Sequence, residues 1–228
     1  MGSEKAVVLL SGGLDSAVTA YQAKSEVDLV YPLTVCYGQR HSREIDCARK
    51  IAEKLKTQPP RIIEIDPALL ASSSLTDKSR KMPVDRTQDE IGEGGIPNTY
   101  VPARNAVMLV LALSYAESIG AREVYIGAHT LDYSGYPDCR PEFIEAFQRM
   151  ADLATKAGVE GNPITIRAPL INMDKTQIIS FGASLGVPFE LTTSCYFGAR
   201  KACGRCDSCR LRLKGFRGAG LVDPVEYE

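Results

Sequence analysis

The feature that most constrains the fold is a glycine-containing turn near the amino end of the chain. An apolar run from Val7 to Leu10 leads into Ser11-Gly12-Gly13-Leu14-Asp15-Ser16, and a helical pattern continues from Ser16 to Lys24. A strand, a tight turn and a helix in immediate succession are typical of α/β proteins. The turn therefore predicts a strand inside a sheet, with a helix that begins directly at its carboxyl end.

Strands and helices continue to alternate along the chain. The pattern predicts strands at 29–37, 61–65, 123–126 and 164–167, and helices at 44–56, 105–119, 141–157 and 175–185. Such alternation predicts an α/β fold with a parallel sheet and helices on both faces, and ligands beyond the carboxyl ends of the strands. Residues 66–99 have no steady period and are predicted to form a long functional loop.

Composition and charge exclude several classes of protein. The 228 residues are 44% hydrophobic and 24% charged, which is typical of a soluble globular protein. The net charge of −1 gives no overall attraction for a polyanion, so we expect no direct nucleic-acid partner. Apolar stretches such as Val107 to Leu113 are too short to span a membrane. No signal peptide is evident, and we expect a cytoplasmic protein.

The glycine turn has the composition of a phosphate site. Glycines let main-chain N–H groups point inward, and the start of a helix adds free donors for an anion. Serine hydroxyls add further donors, and Asp15 is suited to hold the Mg²⁺ that accompanies ATP. The predicted ATP-binding residues are Leu10, Ser11, Gly12, Gly13, Leu14, Asp15 and Ser16. The alternative is an ordinary strand-to-helix turn with a serine cap.

The order of residues in this turn narrows the choice of nucleotide chemistry. It matches neither Gly-x₄-Gly-Lys-Ser/Thr nor Gly-x-Gly-x-x-Gly, so γ-phosphate transfer of the kinase type and dinucleotide binding are disfavoured. It resembles the PP-loop of the ATP pyrophosphatases. That resemblance implies transfer of AMP with release of pyrophosphate, and thus adenylation of a substrate oxygen.

Four cysteines near the carboxyl end predict a metal site. They follow the pattern Cys-x₇-Cys-x₂-Cys-x₂-Cys, with Gly204 available for a tight turn, at positions Cys195, Cys203, Cys206 and Cys209. Four thiolates fit one structural Zn²⁺ per chain, and an iron–sulfur cluster is the alternative. We accordingly divide the chain into a nucleotide-binding α/β domain, 1–190, and a zinc-binding segment, 191–228.

Basic residues surround the cysteines. They are Arg200, Lys201, Arg205, Arg210, Arg212, Lys214 and Arg217, against the single acid Asp207. This group is open to three interpretations: RNA binding, attraction of ATP, or a solvated face. Few aromatic side chains are interleaved with it, which favours the last two.

Several segments between the two motifs resemble one family, the 7-cyano-7-deazaguanine synthases, over Val7 to about Gly215. These segments are Tyr37-Gly38-Gln39-Arg40-His41, Val101-Pro102-Ala103-Arg104-Asn105, Asp132-Tyr133-Ser134-Gly135-Tyr136-Pro137-Asp138-Cys139-Arg140 and Thr193-Ser194-Cys195-Tyr196. The resemblance implies an adenine-nucleotide α-hydrolase-like, Rossmann-like fold, the substrates 7-carboxy-7-deazaguanine, ammonia and ATP, a structural zinc and a homodimer. It also implies a role in queuosine or archaeosine formation.

Candidate catalytic and substrate residues are assigned with this resemblance. Lys175 is predicted to counter charge on the α-phosphate, or else to be a surface lysine at a helix start. Arg104 is predicted to meet the substrate carboxylate or a phosphate, or else to form a salt bridge. The residues predicted to contact the substrate are Asp132, Tyr133, Tyr136, Asp138, Arg140 and His41. The loop at 132–140 is predicted to bind the substrate ring, and His41 to transfer a proton. His41 and His129 also have a structural interpretation.

Two other functions remain open at this stage. The first is a PP-loop enzyme that adenylates a base in tRNA, although neither a second RNA-binding domain nor a sulfur-relay cysteine pair is visible. The second is a non-catalytic zinc module with a vestigial ATP loop, which the intact turn disfavours.

Overall fold

The computed structural model describes residues 4–39, 43–92, 95–130 and 135–228. Its sheet contains five parallel strands, β1 (Lys5–Leu9), β2 (Leu29–Cys36), β3 (Arg61–Glu64), β4 (Glu123–Tyr125) and β5 (Thr165–Arg167). Their order is β3-β2-β1-β4-β5, so the chain builds outward from β1 in both directions. Ligands of such sheets bind where the direction of building reverses, which here is between the carboxyl ends of β1 and β4.

Helices cover both faces of the sheet, as predicted. They are α1 (Leu14–Glu26), α2 (Arg43–Leu55), α3 (Gln88–Gly92), α4 (Arg104–Ile119), α5 (Pro141–Ala154), α6 (Lys156–Val159), α7 (Lys175–Ser184) and α8 (Asp207–Gly218). Among the residues described, no helix combines the length and apolar character needed to cross a bilayer. The α/β fold class with a parallel sheet is confirmed.

The alternation of side chains along β1 joins two hydrophobic clusters. Ala6 and Val8 pack on one face with apolar residues of α1, α2, α7 and α8. Val7 and Leu9 pack on the other face with those of α4 and α5. Because residues 6–9 of β1 are buried between helices on both faces, they are all apolar, which explains the apolar run in the sequence.

The start of α7 is fixed by a capping box. The Asp174 carboxylate accepts from the N–H of Gln177 at 2.8 Å, and the Gln177 side chain accepts from the N–H of Asp174 at 2.9 Å. Reciprocal caps of this kind satisfy N–H groups that a helix start leaves unpaired. Lys175 therefore occupies the first position of a helix whose register is defined.

The cysteine-rich segment packs on the α/β domain through α8. Phe216 belongs to the same cluster as β1 and α1, and its ring lies edge-on to Phe189 with centroids 5.2 Å apart. The sequence pattern did not predict α8. Its buried face includes Arg212 and Gly215 beside Cys209 and Phe216, so the apolar period is interrupted by an arginine and a glycine.

The predicted loop at 66–99 contains little regular structure among its described residues, namely a 3-10 turn (Pro67–Leu70) and α3. It is held to the cysteine segment at one place. Val84 forms an isolated bridge with Cys206, and the N–H of Asp85 donates to the carbonyl of Arg205 at 2.9 Å. Arg86 forms an ion pair with Asp207, which is completely buried. These contacts fix the loop against the cysteine-rich segment.

Candidate functional site

A cavity of about 310 Å³ opens at the carboxyl ends of β1, β2 and β4. The glycine turn, the start of α4, the segment after β4 and Lys175 line it, together with Thr193, Ser194 and Tyr196 from the cysteine-rich segment. The position agrees with the edge of the sheet that the strand order identifies. Most of the predicted ATP-binding residues line this cavity.

The glycine turn is held together by its own hydroxyl groups. The N–H of Ser11 donates to Ser16 Oγ at 3.2 Å, and Ser16 Oγ donates to the carbonyl of Gly13 at 2.9 Å. The N–H of Gly13 donates to Ser11 Oγ at 3.2 Å. Leu10 and Leu14 flank the turn and are buried, which anchors both of its ends. The turn thus presents hydroxyls and the amino end of α1 to the cavity.

Gly12 is required by the shape of the turn. Its φ is +86°, a conformation that favours glycine, and a Cβ placed on it would lie 2.2 Å from the carbonyl oxygen of Glu44 on α2. Gly12 also accepts a main-chain hydrogen bond from Thr193 at 3.0 Å. The close approach of α2 and of the cysteine-rich segment therefore depends on glycine at this position.

Three elements place their charged or polar side chains together below the turn. Lys175 Nζ lies 2.6 Å from Asp15 Oδ1 and 3.0 Å from His129 Nε2, and the His129 Nε2 to Asp15 Oδ2 distance is 3.6 Å. Burial alone would raise the pKa of Asp15, but Lys175 and His129 reverse that effect and hold the pKa well below its usual range. Lys175 is 8% exposed, so its interpretation as a surface lysine is wrong.

His129 also contacts Lys175 through its ring. Because a lysine ammonium only donates, His129 in its neutral form accepts from it through Nε2. Nδ1 is buried and has no hydrogen-bond partner within residues 4–39, 43–92, 95–130 and 135–228. His129 lies beyond the end of β4, where Gly127 permits a close approach to the backbone of Asp15.

Arg104 lines the cavity at the start of α4. Its Nη1 donates to Tyr37 Oη at 3.0 Å, and its guanidinium carbon lies 5.6 Å from the centre of the Tyr37 ring. Burial raises the pKa of Tyr37, which keeps that hydroxyl protonated. The salt-bridge alternative has no support in the described part of the chain, where Arg104 pairs with no carboxylate.

The predicted substrate residues that the structure describes lie in three different environments. Tyr136 lines the cavity and its hydroxyl lies 2.7 Å from Thr99 Oγ1. Asp138 is 7% exposed and accepts from the N–H of Asn105 at 2.8 Å, so it caps α4 and does not line the cavity. Arg140 is exposed at the start of α5. Three further predicted residues, His41, Asp132 and Tyr133, lie outside the described residues.

The four cysteines converge as predicted. Their sulfurs all lie within 4.8 Å of one another, and three of the four side chains are buried. Main-chain N–H groups point at the sulfurs, from Cys203 to Cys195 at 3.4 Å and from Cys206 to Cys203 at 3.3 Å. Gly204 turns the chain between them with φ +66°. Four convergent thiols with N–H donors behind them fit a tetrahedral metal ion.

Some residues of the site were not predicted individually. Asn105 holds the main-chain carbonyl of Asp138 at 2.9 Å and the sulfur of Cys139 at 3.2 Å, beside Arg104 in the cavity wall. Arg212 was assigned to the basic group, but it is 2% exposed, so a solvated position is wrong for this residue. The sequence alone does not distinguish a buried arginine from exposed arginines in the same cluster.

The fold and the site together define a class. A parallel sheet whose first strand ends in a glycine- and serine-rich turn, with an aspartate and a lysine paired beside it, is the arrangement of a nucleotide-binding α/β protein. Within that class, comparison with known sequences is specific. The profile of the family described as "Queuosine biosynthesis protein QueC" matches residues 5–220.

Individual relatives agree with the family match. The chain is 51% identical to a 7-cyano-7-deazaguanine synthase of Pseudomonas savastanoi, over 98% of this chain and 96% of the relative. It is 52% identical to one of Legionella pneumophila (strain Corby), over 99% and 97% respectively. The chain belongs to the 7-cyano-7-deazaguanine synthase family, and the predicted resemblance is confirmed. These matches support it over the tRNA-modifying alternative.

Among solved structures, the chain is similar to an NMN synthetase from Francisella tularensis. The TM-score is 0.49 and the sequence identity is 18%, and the match covers 96% of this chain and 79% of that one.

Proposed function

We propose that the chain converts 7-carboxy-7-deazaguanine and ammonia to 7-cyano-7-deazaguanine, with two molecules of ATP cleaved to AMP and pyrophosphate. The observation that carries this proposal is the buried Lys175 ammonium, 2.6 Å from Asp15 Oδ1 at the end of an intact phosphate turn. The Lys175 ammonium supplies a fixed positive charge that can stabilise the negative charge developing on the α-phosphate during adenylation.

The first half of the reaction activates an acid. A carboxylate resists attack by ammonia because it is negatively charged and its leaving group is oxide. One carboxylate oxygen attacks the α-phosphorus of ATP, and the bond to pyrophosphate breaks. Ammonia then attacks the acyl carbon, AMP leaves with that oxygen, and loss of a proton gives the primary amide.

The second half activates the amide at the same site. The amide oxygen attacks the α-phosphorus of a second ATP, and pyrophosphate again leaves. Loss of the two protons on nitrogen and departure of AMP with the oxygen gives the nitrile. Both oxygens of the original carboxylate thus end in AMP.

Each polar group at the turn has a proposed role. The main-chain N–H groups and hydroxyls of Ser11 to Ser16 hold the phosphates of ATP, and the lowered pKa of Asp15 keeps its carboxylate charged for Mg²⁺. Lys175 counters the charge that builds on the α-phosphate. His129 holds Lys175 through Nε2 and so orients the ammonium.

The deazaguanine ring is proposed to bind on the aromatic side of the cavity. Tyr136 is best supported by its position in the lining. Asp138 is proposed to act on the ring site indirectly, through Asn105 and the start of α4, because its carboxylate accepts a hydrogen bond there. The other residues proposed to contact the substrate are Asp132, Tyr133 and Arg140, and His41 is proposed to transfer a proton.

The metal, assembly and location complete the proposal. We propose that Cys195, Cys203, Cys206 and Cys209 hold one Zn²⁺ with a structural role, since four sulfur ligands leave no open position for chemistry. We further propose a homodimer in the cytoplasm; light scattering coupled to size exclusion tests the first of these.

The test is product identification by mass spectrometry after incubation with 7-carboxy-7-deazaguanine, ammonium, Mg²⁺ and ATP. We expect the nitrile from the unmodified protein and little from Ser11→Ala. Ser25→Ala, which changes an exposed serine at the far end of α1, is the matched control and should retain activity. Consumption of ATP without nitrile would show that the substrate is wrong.

A further inference from the structure

Among the residues that the structure describes, three lysine or arginine side chains line the cavity, and they differ in what they contact. Lys175 pairs with Asp15, and Arg212 pairs with Asp223. Arg104 donates to the neutral hydroxyl of Tyr37, and within the described residues no carboxylate pairs with it. A positive charge held in a partly buried position without a counter-ion is costly, and such groups cluster at functional sites. Of the three described cations in the lining, Arg104 is therefore the one that is open to an anionic ligand.

The backbone places Arg104 with some rigidity. Ala103, the residue before it, has φ +50°, and its N–H donates to Tyr100 Oη at 2.9 Å. The N–H of Asn105, the residue after it, is held by the carboxylate of the buried Asp138. Arg104 is thus fixed on both sides in the chain, and Tyr37 contacts its guanidinium.

The surroundings of Arg104 favour an organic carboxylate over a phosphate. The phosphate turn, at the carboxyl end of β1, and Lys175, at the amino end of α7, already provide donors for ATP. Arg104 stands instead with Tyr37, Met108 and Tyr136, which offer flat and apolar surface of the kind that a heterocyclic ring packs against. A guanidinium fork also matches the two oxygens of a carboxylate.

We propose that Arg104 binds the carboxylate of the substrate and distinguishes the acid from the amide intermediate; this rests on the proposed function. In the first half of the reaction one carboxylate oxygen attacks the α-phosphorus, and the guanidinium pairs with the other. That pairing offsets the repulsion between the carboxylate and the phosphates of ATP. The amide is neutral, so Arg104 contributes far less to binding and activation in the second half of the reaction.

The experiment measures kcat/KM separately for 7-carboxy-7-deazaguanine and for the corresponding 7-carboxamide, at saturating ATP. For Arg104→Met we expect a loss of about 10- to 100-fold with the acid and less than about 3-fold with the amide, as expected from loss of a charge-assisted hydrogen bond. Arg104→Lys keeps the charge without the fork and should recover part of the acid activity.

A matched control is available on β3. Arg61 also lies over a tyrosine ring, 4.9 Å from the centre of Tyr115, but it is exposed and outside the cavity lining. Arg61→Met should leave both activities unchanged. Circular dichroism of all variants checks that the fold is retained.

Two results would overturn the assignment. Equal losses with the acid and the amide would mean that Arg104 does not discriminate between them. Weakened binding of a non-hydrolysable ATP analogue by Arg104→Met would mean that Arg104 contacts the nucleotide. If the unmodified protein converts neither compound, the proposed function fails, and calorimetric binding of acid and amide decides the role of Arg104 by the same comparison.

Discussion

Arg212 and Asp223 form a doubly hydrogen-bonded ion pair in which each side chain is only 3% exposed. Arg212 Nε lies 2.7 Å from one carboxylate oxygen, and Nη2 lies 2.9 Å from the other. The remaining N–H groups reach Thr192 Oγ1, Ser194 Oγ and the carbonyl of Phe189. The pair thus ties the carboxyl-terminal residues to the segment that lies against the glycine turn.

Removing one partner of this pair should be strongly destabilising. Asp223→Ala leaves the Arg212 charge buried and unpaired, and we expect a loss of about 3–5 kcal/mol in the free energy of unfolding. Urea titration followed by circular dichroism measures it. The control is Glu226→Ala, which removes an exposed pair with Arg200 and should change stability little. Equal stabilities of the two variants would show that the buried pair is not important for folding.

The glycine turn predicts a local effect on nucleotide binding. Gly12→Ala puts a methyl group against the carbonyl of Glu44 in a left-handed conformation, so the turn must shift. We expect ATP to bind at least about tenfold more weakly, the equivalent of one lost hydrogen bond.

The matched control for that substitution is Gly161→Ala. Gly161 has φ +79° but nothing within 4 Å of an added Cβ, so it carries the conformational cost without the overlap. The ATP affinity of the Gly161→Ala variant, measured by calorimetry, should equal that of the unmodified protein. Normal ATP binding by Gly12→Ala would contradict the geometry described for the turn.

The cysteine cluster predicts a specific dependence on metal. Cys206→Ser should reduce bound zinc, measured by elemental mass spectrometry, from about one ion per chain to a small fraction, and lower thermal stability. Cys36 is the last residue of β2 and is not one of the four convergent cysteines. The Cys36→Ser variant should therefore retain the metal. Iron and sulfide in the purified protein would instead support the cluster alternative.

The Asp15–Lys175 pair predicts a loss of stability in acid. The pKa of Asp15 is lowered by folding, so its contribution is complete above the ordinary value of 3.8 and decreases as the pH falls below that value. Asp15→Asn should therefore show a shallower fall in unfolding free energy below about pH 4 than the unmodified protein. Asp46→Asn, at an exposed position on α2, should follow the unmodified protein. Identical slopes for Asp15→Asn and the unmodified protein would contradict the paired geometry.

The sequence predicted the sheet, most helices and the metal ligands because those features have local patterns. The apolar run of β1, the turn at Gly12 and the spacing of the cysteines can each be recognised within a few residues. Arg104 was selected from a short motif and Lys175 as the first residue of a predicted helix, and the structure places both in the cavity wall.

Other features depend on contacts between distant residues and had no local signal. Helix α8 was not predicted because its buried face contains Arg212, which interrupts the apolar pattern. Arg212 can be buried because it pairs with Asp223, which lies beyond the end of the helix. Asp138 was predicted to contact the substrate ring, but it caps α4, a contact that joins two separate segments of the chain. The position of His129 after a predicted strand indicated that it lies near the site. Its contact with Lys175 could be seen only in the folded structure.

The central claim is that a substrate oxygen attacks the α-phosphorus of ATP twice. The most direct test uses 7-carboxy-7-deazaguanine with ¹⁸O in both carboxylate positions, and mass spectrometry of all products. The account predicts about two AMP per nitrile, with one ¹⁸O in each AMP and none in pyrophosphate. Label in inorganic phosphate, with ADP as the nucleotide product, would contradict adenylation.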